Sequence, residues 1–330
     1  MVESEGGLGG RRAQGVNAAV PVTVAILTYR RPDVLRRGLE TVAARIAERR
    51  VDLAGYELEV LVVDNDPEGS ARWVAASSDS AVPVRYVVEP RPGIGAARQR
   101  ALDESRHRDV LVFIDDDEVP CRTWLDHLLH TWSMTGAAAV AGRVVPRYET
   151  VLDPWIEAGR FFVRRDLPTG TAVESAPAGN LLIDLVQVRT LGVGFDPRFG
   201  LSGGEDTLFT RQLRRRGGVI VFCRESKVVD IVPPERMTRT WVLRRAWSHG
   251  NTTAHVEVTL ASGWLRRTRT RTAVALGGFL RIAGGGSRAL YGAATRDLSA
   301  QARGLRLLCR GGGMVIGAAG RMFEEYARGR

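Results

Sequence analysis

Carboxylates gather at three points of the 330-residue chain, where an apolar run gives out or a helical pattern begins. Residues 60–63 lead into Asp64-Asn65-Asp66, residues 110–114 into Asp115-Asp116-Asp117-Glu118, and Ser202-Gly203-Gly204 into Glu205-Asp206. In an extended chain alternate side chains share a face, so Asp115 and Asp117 point together. Two carboxylates that close repel by about 1 kcal/mol or more when partly buried. A shared proton or a divalent cation relieves the repulsion, and oxygen ligands of this kind suit Mg²⁺ or Mn²⁺ better than zinc. The competing reading is a solvated acidic turn before a helix starting near Pro120. The unbroken apolar run directly before the acids favours a site. At the third point, Ser202 and Glu205 have the S-x-x-E spacing of a capping box. Glu205 is then expected to start a helix, which leaves Asp206 free. The positive helix end keeps Asp206 ionised, as a proton-accepting base must be.

These groups need a frame. Apolar β-branched runs at residues 22–27, 58–63, 84–88, 110–114, 140–145, 181–186, 219–222 and 228–232 read as strands. Between them, Leu35, Leu39, Val42 and Ile46 form a helical stripe, and residues 94–102 and 123–134 are further helices. Pro32 near the start of the first helix is tolerated because its missing N–H has no helical partner there. Alternating strands and helices with continuous apolar strands predict an α/β fold with a mostly parallel sheet covered on both faces. Such sheets bind ligands beyond the carboxyl ends of their strands, where the acids lie.

The formal charge is +10, and Lys227 is the sole lysine among 47 cations. The charge is uneven: residues 1–235 carry 30 cations and 33 acids, and residues 236–330 carry 17 cations and 4 acids. This argues against a nucleic-acid-binding chain and sets apart a basic C-terminal segment. Cys121, Cys223 and Cys309 are far apart and show no zinc-ligand spacing, which fits a reducing compartment. The reading is therefore a flexible tail (1–20), a catalytic domain (21–235) and a basic helical segment (236–330), with no membrane-spanning helix.

Five motifs stand in order: Val24-Ala-Ile-Leu-Thr28-Tyr29-Arg30-Arg31-Pro32, Val62-Val63-Asp64-Asn65, Arg98 within Gly95-Ala-Ala-Arg-Gln-Arg, Phe113-Ile-Asp115-Asp116-Asp117 and Gly204-Glu205-Asp206. In this order they resemble the family 2 glycosyltransferases, which have the GT-A fold, and the start is similar to succinoglycan-type exopolysaccharide glucosyltransferases. The resemblance implies that Thr28, Tyr29 and Arg30 line a nucleotide pocket and that Asp64 bonds the base, uracil by preference. Arg91 or Arg98 would contact the nucleotide. Asp115 and Asp116 would lie beside the sugar nucleotide, and Asp117 with Asp115 would hold Mg²⁺ or Mn²⁺ on the diphosphate. Asp206 would be the catalytic base, with Glu205 beside it. The resemblance thus implies a nucleotide-sugar donor and a glycan or lipid-linked acceptor. The Q-x-x-R-W spacing of processive synthases is absent, so addition of a single sugar is expected.

Arg244, Arg245 and His249 could add positive charge to the departing diphosphate, although a plain basic helix face explains them equally well. A haloacid-dehalogenase-like phosphotransferase is the main rival, because it too has an apolar strand running into D-x-D. A degenerate sugar-nucleotide-binding partner protein is another. In the basic segment, Gly284-Gly285-Gly286 and Gly311-Gly312-Gly313 are expected to break any long helix into two or three short ones. Basic on one face and apolar on the other, these would suit an anionic membrane surface on the cytoplasmic side. A hairpin packed on the catalytic domain, a homo-oligomer interface and a nucleic-acid-binding arm are the alternatives.

Overall fold

The computed structural model describes residues 19–49 and 52–323. Most of the expected N-terminal tail therefore lies outside the described residues. The strands are β1 (Val20–Thr28), β2 (Tyr56–Asp64), β3 (Val84–Val88), β4 (Val110–Asp115), β5 (Glu118–Pro120), β6 (Ala139–Tyr148), β7 (Asn180–Asp184) and β8 (Ile220–Val232). The helices are α1 (Pro32–Glu48), α2 (Arg72–Ala76), α3 (Ile94–Glu104), α4 (Trp124–Thr135), α5 (Pro154–Gly159), α6 (Leu185–Leu191), α7 (Glu205–Arg215), α8 (Arg239–Leu260), α9 (Trp264–Thr295) and α10 (Leu298–Ala318).

The strands form one sheet in the order β3-β2-β1-β4-β7-β6-β8-β5. The first four are parallel, β7 runs antiparallel to both β4 and β6, and β8 is parallel to β6. Period-two alternation supplies both faces. Val24, Ile26, Val60, Val62, Val112 and Ile114 pack under α1 and α4. Their neighbours Ala25, Leu27, Leu61, Val63, Leu111 and Phe113 pack against α3 and α7 through Ala97, Ala101, Phe209 and Leu213.

Four expectations change, three of them in the sheet. Residues 118–120, which seemed to precede a helix, are β5, paired with β8. The runs at 219–222 and 228–232 are one long strand. The strand at 181–186 stops at Asp184, whose side chain accepts from Gln187 N at 2.9 Å and caps α6.

The largest change is in the basic segment. α9 is a continuous 32-residue helix that runs through Gly284–Gly286, and α10 runs through Gly311–Gly313. The glycines let these helices touch. A Cβ on Gly285 would lie 2.5 Å from Leu308 N, and one on Gly304 would lie 2.4 Å from Ala289 N. Close backbone packing here outweighs the helix-propensity cost of about 1 kcal/mol per glycine. α10 in turn packs on α8 and α5, where Ala302 joins Trp155, Ile156, Phe162, Val232 and Val242 in one cluster. The segment is thus a helical layer built onto the α/β half. Among the described residues, no helix is long and apolar enough to cross a membrane.

Candidate active site

Strand register assembles the donor-side edge. β1 lies between β2 and β4, with Thr28 opposite Asp64 and Leu27 opposite Asp115. Residues far apart in sequence thus end at one level. Beyond β1 the chain turns through Arg30, whose φ of 51° is unusual for a side chain with a Cβ. Its guanidinium lies over the Tyr29 ring and donates to the buried Asp66 at 3.3 Å.

Arg31, which the sequence reading passed over, anchors the acidic turn. It donates to Asp116 Oδ1 at 2.5 Å and to Asp117 Oδ2 at 3.1 Å. Thr28 donates its hydroxyl to Asp116 Oδ2 at 2.8 Å. Asp116 is buried beneath the turn, where desolvation, opposed by Arg31, pushes its carboxyl up to about 7. Asp116 therefore braces the turn, and Asp115 and Asp117 are the acids that remain accessible. Asp115 keeps 44% of its side-chain surface, yet the turn still desolvates its carboxylate and raises its pKa, with Arg98 opposing. Glu118, a member of the quartet that had been given no role, is buried and raised well above the usual range by burial and by Asp115. Both carboxylates close over the Gly179 backbone: a Cβ there would lie 2.8 Å from Glu118 Oε1 and 3.1 Å from Asp115 Oδ2.

Asp64 is fully buried and accepts from Asp66 N, Ala71 N and the Tyr86 hydroxyl at 3.0, 3.0 and 2.7 Å. Its carboxylate holds the loop after β2. Asn65 ties this edge to the next loop by donating to the carbonyls of Glu89 and Arg91 and accepting from Gly93 N. Between the two arginine candidates the geometry separates roles. Arg91 is an exposed side chain clasping the buried Glu89. Arg98 is buried on α3, forms a very close ion pair with Glu205, and lies 3.8 Å from Asp115. It thereby links the end of β4 to the start of α7.

That link replaces the capping box. The residue capping α7 is Gly204, with no side-chain cap, and the Ser202 hydroxyl instead donates to the Gly203 carbonyl. Glu205 is buried because it neutralises Arg98, and Glu205 Oε2 and Arg98 Nε remain without a hydrogen-bond partner among the described residues. Asp206 is partly exposed at the same helix end and accepts from its neighbour Thr207. It is the acid at α7 that stays open to solvent. α8 crosses the preceding turn closely enough that a Cβ on Gly204 would lie 2.0 Å from Thr252 Cγ2.

Arg244, Arg245 and His249 come together in a cavity of 350 Å³, with Arg164, Arg236, Arg306 and the aromatic rings of Phe161, Phe162 and Trp241. The cavity adjoins the acidic turn, since Arg236 lies 3.8 Å from Asp117 and Arg164 pairs with Asp230 at 2.9 Å. Desolvation by the cavity walls and the field of Arg245 and Arg310 lower His249 to about 3, so its imidazole is neutral at physiological pH. Trp124 and Trp155 are core residues.

Comparison with known proteins supplies the family. The glycosyl transferase family 2 description matches residues 23–182, from β1 into β7. The chain is 32% identical over 269 residues to the succinoglycan biosynthesis protein ExoM of Rhizobium meliloti (strain 1021), covering 81% of this chain and 85% of that protein. The chain belongs to glycosyltransferase family 2. The fold of this glycosyltransferase matches S. aureus TarS 1-349 in complex with UDP, with a TM-score of 0.51, 15% identity and coverage of 86% and 89% of the two chains. It also matches GalNAc-T7 with UDP, GalNAc and Mn²⁺, with a TM-score of 0.50, 15% identity and coverage of 72% and 51%. The GT-A fold is thereby established, and the haloacid-dehalogenase-like reading falls.

The glycosyltransferase's acidic turn fits a divalent cation held mainly by its substrate. Its donors are hard carboxylate oxygens whose mutual repulsion a cation would relieve. Among the described residues no three His, Cys, Asp or Glu side chains converge to hold a metal alone. Mg²⁺ is commonly held in this way, by one or two carboxylates together with phosphates and water.

Proposed function

We propose that this glycosyltransferase moves one sugar from a UDP-sugar to a hydroxyl of a glycan acceptor, with inversion at the anomeric carbon, in exopolysaccharide synthesis. The observation that carries the reading is the Arg98 bridge. It ties Glu205, the neighbour of the open acid Asp206 at the start of α7, to Asp115 in the acidic turn after β4. The matched succinoglycan relative supports the setting, and the UDP complexes of TarS and GalNAc-T7 support the donor class.

In this reading Tyr29 and Arg30, at the mouth of β1, contact the nucleotide, and Asp64 acts indirectly by fixing the loop beside the base. Asp115 faces the ribose and Asp117 holds the cation. Bound there, Mg²⁺ or Mn²⁺ would neutralise charge on the departing diphosphate. The acceptor oxygen attacks the anomeric carbon while its proton passes to Asp206. The bond from that carbon to the diphosphate breaks, and the electron pair leaves on the phosphate oxygen. A positioned base of this kind contributes about 10²–10⁴-fold. Arg244, Arg245 and the neutral His249 line the exit side of the diphosphate. A lipid-linked acceptor would place the enzyme on the cytoplasmic face of the membrane.

A panel of nucleotide sugars, assayed for nucleoside diphosphate release with Mn²⁺ or Mg²⁺, tests the reading. Release from a UDP-sugar is expected, falling at least about 100-fold in Asp117→Ala and on chelation of the metal. Metal-independent turnover or a product of retained configuration would overturn the mechanism. No release from any donor would favour a sugar-nucleotide-binding partner protein.

A further inference from the structure

α9 carries its small residues inward and its large apolar residues outward. The side facing α10 is Val274, Gly278, Gly285, Ala289 and Gly292. Leu276, Phe279, Leu280, Leu290 and Tyr291 are each more than half exposed. At about 100° per residue the two sets fall on opposite sides of the helix. Burial against α10 therefore does not account for the apolar stripe, which extends to Leu265 at the N-terminal end. Exposed apolar area of this extent marks a contact surface.

The charge on α9 identifies what makes the contact. The helix bears Arg266, Arg267, Arg269, Arg271, Arg281 and Arg288 and no carboxylate at all. Among the described residues, no acid forms an ion pair with any of the six. By helical spacing, Arg281 and Arg288 lie together along one edge of the apolar stripe, between it and the side facing α10, and the other four crowd the first two turns. A second copy docked symmetrically through this face would set arginines against arginines. An anionic lipid surface instead offers acyl chains to the stripe and phosphates to the arginines along its edge and at its N-terminal end, with the long arginine stems reaching up to the headgroups. The helix is also not apolar enough to cross the bilayer.

We propose that the outer face of α9 lies flat in the interface of an anionic phospholipid bilayer and holds the enzyme on the membrane surface. The inference concerns where the molecule sits, and it stands apart from the identity of the donor and the metal. Its test is flotation of the full-length protein with vesicles of phosphatidylcholine alone or with about one-third phosphatidylglycerol. Binding to the anionic vesicles is expected, at least about tenfold stronger than to neutral ones and weakened by added salt. Leu276→Glu/Leu280→Glu should lower that binding about tenfold or more while leaving the circular-dichroism melting temperature in place, because both side chains are exposed. Equal binding to neutral vesicles, or unchanged binding by the double variant, would overturn the proposal. So would a dimer in analytical ultracentrifugation that the double variant dissolves, without vesicle binding by the wild type, since a second copy would then cover the face.

Discussion

Arginine supplies every Lys or Arg cation but Lys227 in the two halves of the molecule, and the two halves use it in opposite ways. In the α/β half it is paired: Arg31 with Asp116 and Asp117, Arg85 with Glu59 and Glu104, Arg98 with Glu205, Arg108 with Glu57 and Glu59. There it positions carboxylates. On α9 the same residue is exposed and, among the described residues, forms no ion pair with an acid. Glycine divides in parallel. Gly93, Gly203 and Gly204 take positive φ in the loops around the site, whereas Gly278, Gly285 and Gly292 are helical and allow backbones to approach. Residue type sets the available chemistry, and the neighbours decide whether it becomes a clamp, a hinge or a surface.

The sharpest way to break this contrast is at α7, where two adjacent acids should behave differently. Asp206→Asn is expected to lower kcat by about 10²–10⁴-fold with little change in melting temperature. Glu205→Gln removes the close partner of the buried Arg98, leaving only Asp115 at 3.8 Å, and should cost about 3 kcal/mol in denaturant unfolding. The same stability loss in Asp206→Asn would show that both acids serve the clamp.

Smaller effects should separate the glycines. Gly285→Ala forces a Cβ against Leu308 N and Gly304 O and should cost about 1–3 kcal/mol, read as a fall in melting temperature. Its neighbour Gly284 has nothing within 4 Å of an added Cβ, so Gly284→Ala should stabilise by about 0.5–1 kcal/mol. Equal effects at the two positions would mean that helix propensity, and not interhelical contact, governs the segment.

The smallest effect lies at the junction of the halves. Arg239 on α8 donates to Asp153, the cap of α5, and holds that carboxyl below its usual range. A depressed carboxylate pKa adds stability that is fully present above the unfolded value of about 4 and disappears as pH falls through the folded one. The melting-temperature gap between wild type and Arg239→Gln should therefore be constant near neutrality and close in acid. A gap that persists under acid conditions would assign Arg239 to packing over the Trp155 ring instead.

Much of the site was legible along the chain. Acids at the ends of continuous apolar strands point to the carboxyl edge of a parallel sheet, and β1, β2 and β4 place them there. What misled was local pattern without its distant partner. Ser202 and Glu205 have capping-box spacing, but Glu205 is claimed by Arg98, 107 residues earlier. Arg31 looked like punctuation before α1 because the two acids it holds lie 85 and 86 residues away. The triple glycines looked like breaks because propensity is a per-residue cost, and the opposing gain comes from a helix that is not local in sequence.

The amino-acid order by itself determined the strand pattern, the family, the three acidic points and the confinement of basicity to the last third. Each of these is a property of neighbouring residues, set by periodicity and composition. Only the tertiary structure decided which acids are braces and which are open, that Arg98 joins two motifs into one site, and that α9 turns its apolar side outward. Burial and ion pairing depend on distances across the fold, and these exist only once the sheet and the helical layer have closed on each other.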